Sequence, residues 1–171
     1  IRDNTDAKQI LDIGCGTGEF LNYMKKKGFF TTGVEVAEKA RISAVKNYKL
    51  DVKKEINELK ENRFDIITMW HVLEHIHDLE GHMKKIRKLI SNNGLLIIAV
   101  PNYKCFDQKF YKKYWAGWDV PLHLWHFDRS SLKKLATHYG FAIKKTYPLI
   151  LDSFYVSLLS SKYKHKKQKI I

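Results

Sequence analysis

Short apolar runs alternate with longer segments of mixed polarity along the first hundred residues of the chain. Runs rich in Ile, Val and aromatic residues are typical of strands buried on both faces, and apolar positions three and four residues apart are typical of helices. We predict strands at 8–13, 29–34, 50–52, 64–69 and 95–100, helices at 19–27, 37–48 and 78–90, and an Asn-Asn-Gly turn at 92–94. Regular alternation of this kind predicts a parallel sheet with helices on both faces.

The alternation stops after Pro101. Residues 102–129 are dense in aromatic residues and histidine, and a connection of that length inside a compact domain is usually functional. Beyond it we predict a helix at 130–139, a strand at 141–147, a second helix at 152–163 and the start of a further strand at 169–171.

The first predicted strand continues directly into a glycine-rich turn. Gly14, Gly16 and Gly18 follow Ile13 at a spacing of two. Glycines so close together let the backbone turn sharply and let a ligand approach without meeting a Cβ atom. The helix that follows directs its free N–H groups toward such a ligand. The turn therefore predicts a site for a dinucleotide or for another nucleoside.

The spacing of the glycines favours a nucleoside other than a dinucleotide. The dinucleotide fingerprint needs a glycine at the position that Glu19 occupies here. The segment Asp12-x-Gly14-x-Gly16-x-Gly18 instead resembles the first motif of the class I S-adenosylmethionine (SAM) dependent methyltransferases. The resemblance covers about residues 8–150 and implies a Rossmann-like, doubly wound, mostly parallel sheet flanked by helices. Family members usually carry helices before the first strand, and we expect this chain to lack them.

The resemblance also implies which residues contact the cofactor. Glu35 closes the second predicted strand, where an acid accepts hydrogen bonds from both ribose hydroxyls. Asp12 matches the acid that orients the glycine loop and the methionine end of the cofactor. The expected cofactor-binding residues are Asp12, Gly14, Cys15, Gly16, Gly18, Glu35, Met69, Trp70 and His71. Alternatively, Glu35 is a surface residue at a strand end and Asp12 a polar residue satisfied within the turn. Glu55 and Ile56 are weaker candidates for the adenine contact.

The stretch His71-x-x-Glu74-His75 admits a metal-binding interpretation. It matches the inverted zinc-peptidase motif, but a buried strand precedes it and the motif would need further acidic ligands downstream. It also resembles a Glu-x-x-Glu-His segment that can hold a divalent metal in methyltransferases of ubiquinone biosynthesis, although His71 replaces the first glutamate here. We expect no divalent metal, and we expect Glu74 and His75 to fix the loop and helix start by hydrogen bonds.

Residues 119–128 carry the candidate catalytic groups. They resemble the Asp-x-Pro-Arg-His-Leu-Tyr-His-Phe segment of a broad group of small-molecule methyltransferases, with Leu122 in place of Arg and Trp125 in place of Tyr. A neutral His126 or His123 could take a proton from a hydroxyl or amine as it attacks the methyl group. The alternative is that both histidines are structural. The aromatic residues of this region either enclose an apolar or ring-bearing acceptor or pack beneath a lid.

Composition excludes some classes of protein. Hydrophobic residues make up 44% of the chain, too many for a disordered protein. No apolar run approaches the roughly 18 residues of a membrane-spanning helix. The net charge is +13, and because five lysines fall in the last ten residues we interpret it mainly as a solvated face. The isolated Cys15 and Cys105, and the lack of a signal peptide, favour a reduced, cytoplasmic setting. Since the chain starts at Ile1 rather than Met, we expect it to belong to a longer protein.

These observations predict one methyltransferase domain over residues 1–171, with a cofactor-binding core at 8–100, a substrate or lid region at 101–129 and C-terminal helices and a strand at 130–171. The predicted reaction moves the methyl group of SAM to a small-molecule acceptor, at an oxygen nucleophile, and leaves S-adenosylhomocysteine (SAH). We expect no nucleic-acid or membrane partner. The alternatives are an RNA or protein methyltransferase, which the basic charge favours, and a non-catalytic SAM-binding module. Against a base-amino methyltransferase, the Asn-Pro-Pro-Tyr type of motif is absent.

Overall fold

The computed structural model describes residues 8–61 and 63–168, with side chains as far as residue 165. The polar lead-in at 1–7 and the strand predicted at 169–171 lie outside the described residues. The chain divides into two compact units, Ile1–Ala99 and Val100–Ile171.

The first unit contains a five-stranded parallel sheet. Its strands are β1 (Gln9–Ile13), β2 (Phe30–Val34), β3 (Asp51–Lys53), β4 (Phe64–Trp70) and β5 (Ile90–Ala99). The strands lie in the order β3-β2-β1-β4-β5, so the direction of winding reverses between β1 and β4. The prediction of a Rossmann-like, doubly wound parallel sheet is confirmed. Ligands of such sheets bind at the carboxyl ends of the strands beside this reversal.

Helices connect the strands of the first unit, and local signals account for their ends. They are α1 (Glu19–Lys26), α2 (Glu38–Tyr48) and α3 (Leu79–Leu89). The Asp78 side chain accepts a hydrogen bond of 2.9 Å from the Gly81 N–H and caps the start of α3. At the end of α1, the N–H groups of Gly28 and Phe29 donate to carbonyl groups of the last turn. This Schellman arrangement needs a left-handed residue at its C-terminal glycine position, and Gly28 has φ 89°.

The predicted turn at 92–94 is wrong, because these residues lie inside β5. The pairing between β4 and β5 steps from Phe64 opposite Ile90 to Ile66 opposite Leu95, so β5 accommodates three extra residues there. β5 has a neighbouring strand on one side only in the described sheet, which leaves room for a bulge.

Gly18 holds α1 and α2 in close contact. Its φ is 90°, and a Cβ atom added there would lie 2.6 Å from Leu50 Cδ1 and 2.9 Å from Ala44 Cβ. Both neighbours are buried core residues. Gly18 therefore lets the start of α1 pack closely against Ala44 of α2 and against Leu50.

Gly18→Ala should lower the free energy of unfolding more than Gly28→Ala. Both glycines are left-handed, so each alanine should cost about 1–2 kcal/mol for its backbone conformation. Space around Gly28 is open within 4 Å, whereas Gly18 is crowded, so Gly18→Ala should cost a further ~1–3 kcal/mol of overpacking. Urea unfolding of both variants measures the difference. Equal losses would contradict close packing at Gly18.

The second unit contains three α-helices and two 3₁₀ turns in its described part. The helices are α4 (Phe106–Tyr111), α5 (Arg129–His138) and α6 (Ile150–Gln168), and the turns are Lys112–Tyr114 and Ala116–Trp118. The connection predicted at 102–129 thus has local helical structure. Asp128 and Ser131 form a reciprocal capping box at the start of α5, in which the Ser131 N–H donates to Asp128 Oδ1 over 2.6 Å.

The strand predicted at 141–147 is wrong. These residues carry no strand pairing in the described chain, and the side chains of 142–147 are exposed. Aromatic and β-branched residues favour a strand only where a neighbouring strand offers hydrogen-bonding groups. The strand assigned to the C-terminal segment 130–171 therefore has no counterpart among the described residues. None of the described helices combines the length and the apolar character that crossing a membrane requires.

Candidate functional site

A cleft of about 420 Å³ opens in the first unit at the carboxyl end of β1. It is lined by Asp12, Gly14, Cys15, Gly16, Thr17, Glu19, Phe20 and Trp70. These residues come from the end of β1, the glycine loop, the start of α1 and the end of β4. The cleft therefore lies beside the reversal of strand order, where a doubly wound sheet is expected to bind its ligand.

The glycine loop presents bare backbone to this cleft. Gly16 has φ 54°, and a Cβ atom added there would meet nothing within 4 Å. The loop is held from behind, because the N–H groups of Gly14 and Cys15 both donate to the Val34 carbonyl, over 2.7 and 3.1 Å. A ligand can thus approach the backbone of a loop whose conformation β2 fixes.

Glu35 joins the end of β2 to the glycine loop. Its Oε2 accepts a hydrogen bond of 2.8 Å from the Gly16 N–H, and its Oε1 accepts one of 2.8 Å from the Ala37 N–H. Arg41 of α2 donates to the Glu35 carbonyl over 2.9 Å and fixes the backbone as well. The side chain is buried. Since a carboxylate has about four acceptor sites, two remain for hydroxyl groups of a ligand.

Asp12 is a buried acid at the base of the cleft. Thr68 Oγ1 donates to its Oδ1 over 2.6 Å. Burial is the main cause that raises the pKa of Asp12 to about 7; the Thr68 hydrogen bond opposes this rise, and the negative charge of Glu35 adds to it. The charge of Asp12 therefore changes near neutral pH.

Cys15 does not provide a nucleophile. Burial, helped by the charges of Asp12 and Glu35, raises the pKa of its thiol to about 12, so the thiol stays protonated at neutral pH. Its Sγ lies against the backbone of Gly33, where an added Cβ atom would approach it to 2.6 Å. Cys15 therefore contributes packing and backbone to the loop.

Two aromatic rings form one wall of the cleft. Phe20 and Trp70 meet edge to face, with ring centroids 5.6 Å apart and planes at 72°. The Trp70 Nε1–H is buried and has no hydrogen-bond partner among the described residues. A buried indole N–H usually has a partner, so this donor is a group that the described residues leave unsatisfied.

The structure brings most of the predicted cofactor residues to one place. Five of them line the cleft: Asp12, Gly14, Cys15, Gly16 and Trp70. Glu35 is not part of the lining, but its carboxylate accepts a hydrogen bond from the Gly16 N–H. Gly18 packs against the second helix instead, and Met69 is wholly buried in β4. His71 follows β4 with φ 55°, and its Nδ1 lies 3.5 Å from Glu74 Oε1.

Sequence reasoning missed Thr17, Glu19 and Phe20. The Thr17 hydroxyl hydrogen-bonds the Glu19 carboxylate and holds the pKa of Glu19 below its usual range. Both residues fall inside or beside the glycine motif, which was the available signal. Phe20 carries no motif, because its approach to the cleft depends on how α1 packs.

The candidate catalytic histidines lie in the second unit and are held by backbone carbonyls. His123 Nδ1 is 3.0 Å from the Gly117 oxygen, and His126 Nε2 is 3.0 Å from the Trp118 oxygen. A carbonyl only accepts, so these nitrogens carry the proton, and in the neutral ring the lone pair is on the other nitrogen. The Trp118 ring also meets His126 edge to face at 5.0 Å. The contact to Trp118 thus fixes the neutral tautomer of His126, whereas the second nitrogen of His123, Nε2, lies 3.8 Å from Asp119 Oδ2.

Comparison with known proteins agrees with this geometry. A family model described as a methyltransferase domain matches residues 2–146. The chain therefore belongs to this methyltransferase-domain family, and its doubly wound sheet and glycine loop are those of the class I enzymes that use SAM.

Relatives of this chain include enzymes and solved structures. A ubiquinone biosynthesis O-methyltransferase from Pelagibacter ubique is 33% identical over 101 residues, which is 55% of this chain and 42% of that protein. A SAM-dependent methyltransferase from Archaeoglobus fulgidus has a TM-score of 0.66 at 18% identity, covering 94% of this chain and 79% of that one. Magnesium protoporphyrin IX methyltransferase from Synechocystis, solved with bound SAH, has a TM-score of 0.67 at 18% identity, covering 85% and 69%. The chain spans less than half the length of the Pelagibacter ubique enzyme.

Proposed function

We propose that this chain transfers the methyl group of SAM to an oxygen atom of a small-molecule acceptor. The single observation that carries the proposal is the open backbone of Gly16, whose N–H is bound by the buried Glu35 carboxylate. A cradle without side chains next to an acid suits a nucleoside with two ribose hydroxyls. Membership of the methyltransferase-domain family supports the same ligand.

The residues of the cleft fit the chemical groups of SAM. Glu35 would accept from the ribose hydroxyls, and ionised Asp12 would attract the ammonium group of the methionine end. Trp70 would contact the cofactor with its ring at the end of β4, and its neighbours Met69 and His71 would contact it through their backbone. SAM supplies a methyl group already activated on a sulfonium. The protein has to bind it, exclude water and hold the acceptor in line, and such positioning can supply about 7–11 kcal/mol.

A base is needed where the attacking hydroxyl must lose its proton. His126 is the first candidate, because its Nε2 is held by the Trp118 carbonyl and the lone pair of its neutral ring is then on Nδ1, and His123 is the second. Removal of the proton by a positioned histidine contributes about 10²–10⁴-fold to the rate. We propose the same division of the chain as above, with the cofactor core at 8–100 and the acceptor region at 101–129.

A small acceptor with an aromatic ring is favoured by the second unit. Tyr103 and Trp118 stack with centroids 6.4 Å apart and planes at 24°, and Trp115 meets Trp118 edge to face at 5.3 Å. Aromatic walls with a few polar groups are typical of small-molecule sites. The curated relative from Pelagibacter ubique, named an O-methyltransferase, supports oxygen as the atom methylated.

Transfer of labelled methyl groups tests this function. The chain is incubated with methyl-tritiated SAM and, separately, with catechols, simple phenols, aromatic amines, total RNA or a protein mixture. Label should pass to a catechol or phenol and remain alkali-stable. Label in RNA or protein would support the alternative that the charge of +13 favours, and would overturn a small-molecule acceptor. SAH binding without transfer to any acceptor would favour the non-catalytic module.

His126→Gln should lower kcat by about 10²–10⁴-fold for a phenolic acceptor while leaving SAH affinity unchanged. The residual activity should rise with pH, because the acceptor then ionises in solution. His123→Gln is made in parallel, and His138→Gln, in an exposed position on α5, is the matched control. If neither His126→Gln nor His123→Gln changes kcat in a folded protein, both histidines are structural.

A further inference from the structure

The long helix α6 packs against the rest of the second unit through Ser157 and Ser160. Ser160 is fully buried, and its Oγ accepts from the Ala116 N–H over 2.8 Å and bonds the Val156 carbonyl over 2.7 Å. One turn earlier, Ser157 Oγ is 3.3 Å from the Tyr111 hydroxyl. These contacts fix the side of α6 that faces the remainder of the second unit.

The opposite side of α6 is apolar and exposed. Its residues follow the spacing i, i+1, i+4, i+5 and i+8, which places them in one stripe. We name this stripe the α6 apolar face: Ile150, Leu151, Phe154, Tyr155 and Leu158, which are 73%, 84%, 65%, 66% and 50% exposed. A helix of a globular protein normally buries such a stripe. Because α6 exposes this stripe instead, it presents a large apolar surface that a partner could cover.

Positive charge adjoins this face. Asp152 is the one acidic residue in the sequence of α6, whereas Lys162 and Lys164 follow the apolar residues and the last ten residues of the chain hold five lysines. Lys164 Nζ lies 5.0 Å from the ring centroid of Phe110, which is itself exposed. The partner of this surface should therefore be apolar and negatively charged at once.

We propose that the α6 apolar face docks on an anionic lipid membrane and lies in its interface. Helices that bind there place Phe, Leu and Tyr side chains against the acyl boundary and lysines toward the headgroups. Lysines near an anionic surface add an electrostatic attraction that salt weakens. A second copy of the chain is less suited as the partner, because two chains of charge +13 repel one another.

This proposal departs from the expectation of no membrane partner. That expectation rested on the lack of an apolar run long enough to span a membrane and on the interpretation of the positive charge as a solvated face. The exposure of the α6 apolar face indicates a different mode of binding, in which the helix lies in the membrane interface without spanning it. The proposal does not depend on the reaction that the first unit performs.

Co-sedimentation with lipid vesicles tests the proposal on the whole chain. Vesicles of phosphatidylcholine alone are compared with vesicles that also contain phosphatidylglycerol. The chain should bind the anionic vesicles and should bind the neutral ones at least roughly tenfold more weakly at low salt. Leu151→Ser/Phe154→Ser should weaken binding to anionic vesicles by roughly tenfold or more. These positions are exposed, so the variant should fold, and its thermal unfolding is measured as a check.

Two matched variants distinguish binding through the α6 apolar face from nonspecific hydrophobic binding and from an effect of net charge. Ile42→Ser removes an exposed apolar residue of α2 and should leave vesicle binding unchanged. Lys162→Glu should weaken binding more than Lys26→Glu, which changes the net charge equally at the end of α1. Binding that is absent, that ignores phosphatidylglycerol, or that survives Leu151→Ser/Phe154→Ser would overturn the proposal. A dimer in light scattering that this variant dissociates, without vesicle binding, would instead assign the face to a second copy.

Discussion

Glu35→Ala should weaken SAH binding by about 10²- to 10⁴-fold. A charged acceptor contributes about 1.5–3 kcal/mol per hydrogen bond, and Glu35 would accept one from each ribose hydroxyl. The substitution also leaves the Gly16 N–H without its carboxylate partner, which loosens the loop that carries the ligand. Titration calorimetry of the variant and the unchanged chain with SAH measures the effect.

Two further variants make the Glu35 result specific. Glu35→Gln keeps the shape and one acceptor oxygen, so it should lose less affinity than Glu35→Ala. Glu38→Ala removes an exposed acid three residues away, in the first turn of α2, and should leave affinity unchanged. An unchanged affinity in a folded Glu35→Ala protein would reject the assignment of the cleft as the ribose site.

Asp12→Asn should stabilise the folded chain at alkaline pH and weaken SAH binding. Burial raises the pKa of Asp12 from 3.8 to about 7, so the folded protein holds this proton more tightly than the unfolded chain does. The stabilising effect is complete below the ordinary pKa and is lost as the pH rises through 7. Above that pH the buried charge costs about 2–4 kcal/mol, and asparagine removes this cost.

Urea unfolding at acidic and alkaline pH measures this effect. Asp12→Asn should raise the free energy of unfolding clearly more at pH about 8.5 than at pH about 5, because the linkage effect grows between the ordinary pKa of 3.8 and the raised pKa of about 7. The exposed Asp51→Asn, whose partner is Lys53, is the control and should change stability by less than about 1 kcal/mol. Destabilisation of equal size at both values of pH would contradict the raised pKa.

At alkaline pH, Asp12→Asn should lower the affinity for SAH while it raises the free energy of unfolding. Ionised Asp12 would attract the ammonium of the methionine end, so the unchanged chain should bind SAH more tightly above pH 7 than below it. Asp12→Asn should lose roughly tenfold or more in affinity at alkaline pH and lose this pH dependence. A stabilised variant with weaker binding would identify Asp12 as a site residue kept at the expense of stability.

The sheet of the first unit is predictable because its signals are local. Apolar runs define the strands, Asp78 caps α3, and Gly28 terminates α1. The errors at 92–94 and 141–147 concern pairing between segments. An Asn-Asn-Gly sequence suits a bulge as well as a turn, and an extended apolar segment becomes a strand only beside another strand.

The candidate site shows the same difference between what the sequence predicts and what depends on packing. The resemblance to the class I methyltransferases assigned Asp12, Gly16 and Glu35 to one site, and in the structure Asp12 and Gly16 line the cleft while Glu35 binds the Gly16 N–H. Phe20 joins the cleft only because of the way α1 packs. The exposure of the α6 apolar face was equally hidden, since it follows from the burial of Ser160 against the distant Ala116.

The most direct test of the central claim is a calorimetric titration of the unchanged chain with SAH, followed by one with NADH. We expect one SAH to bind per chain with micromolar affinity, and we expect no heat from NADH, because Glu19 replaces the third glycine of the dinucleotide fingerprint. A chain that unfolds cooperatively, and is therefore folded, yet binds NADH or fails to bind SAH would contradict the assignment of the Gly14–Gly18 cleft to SAM.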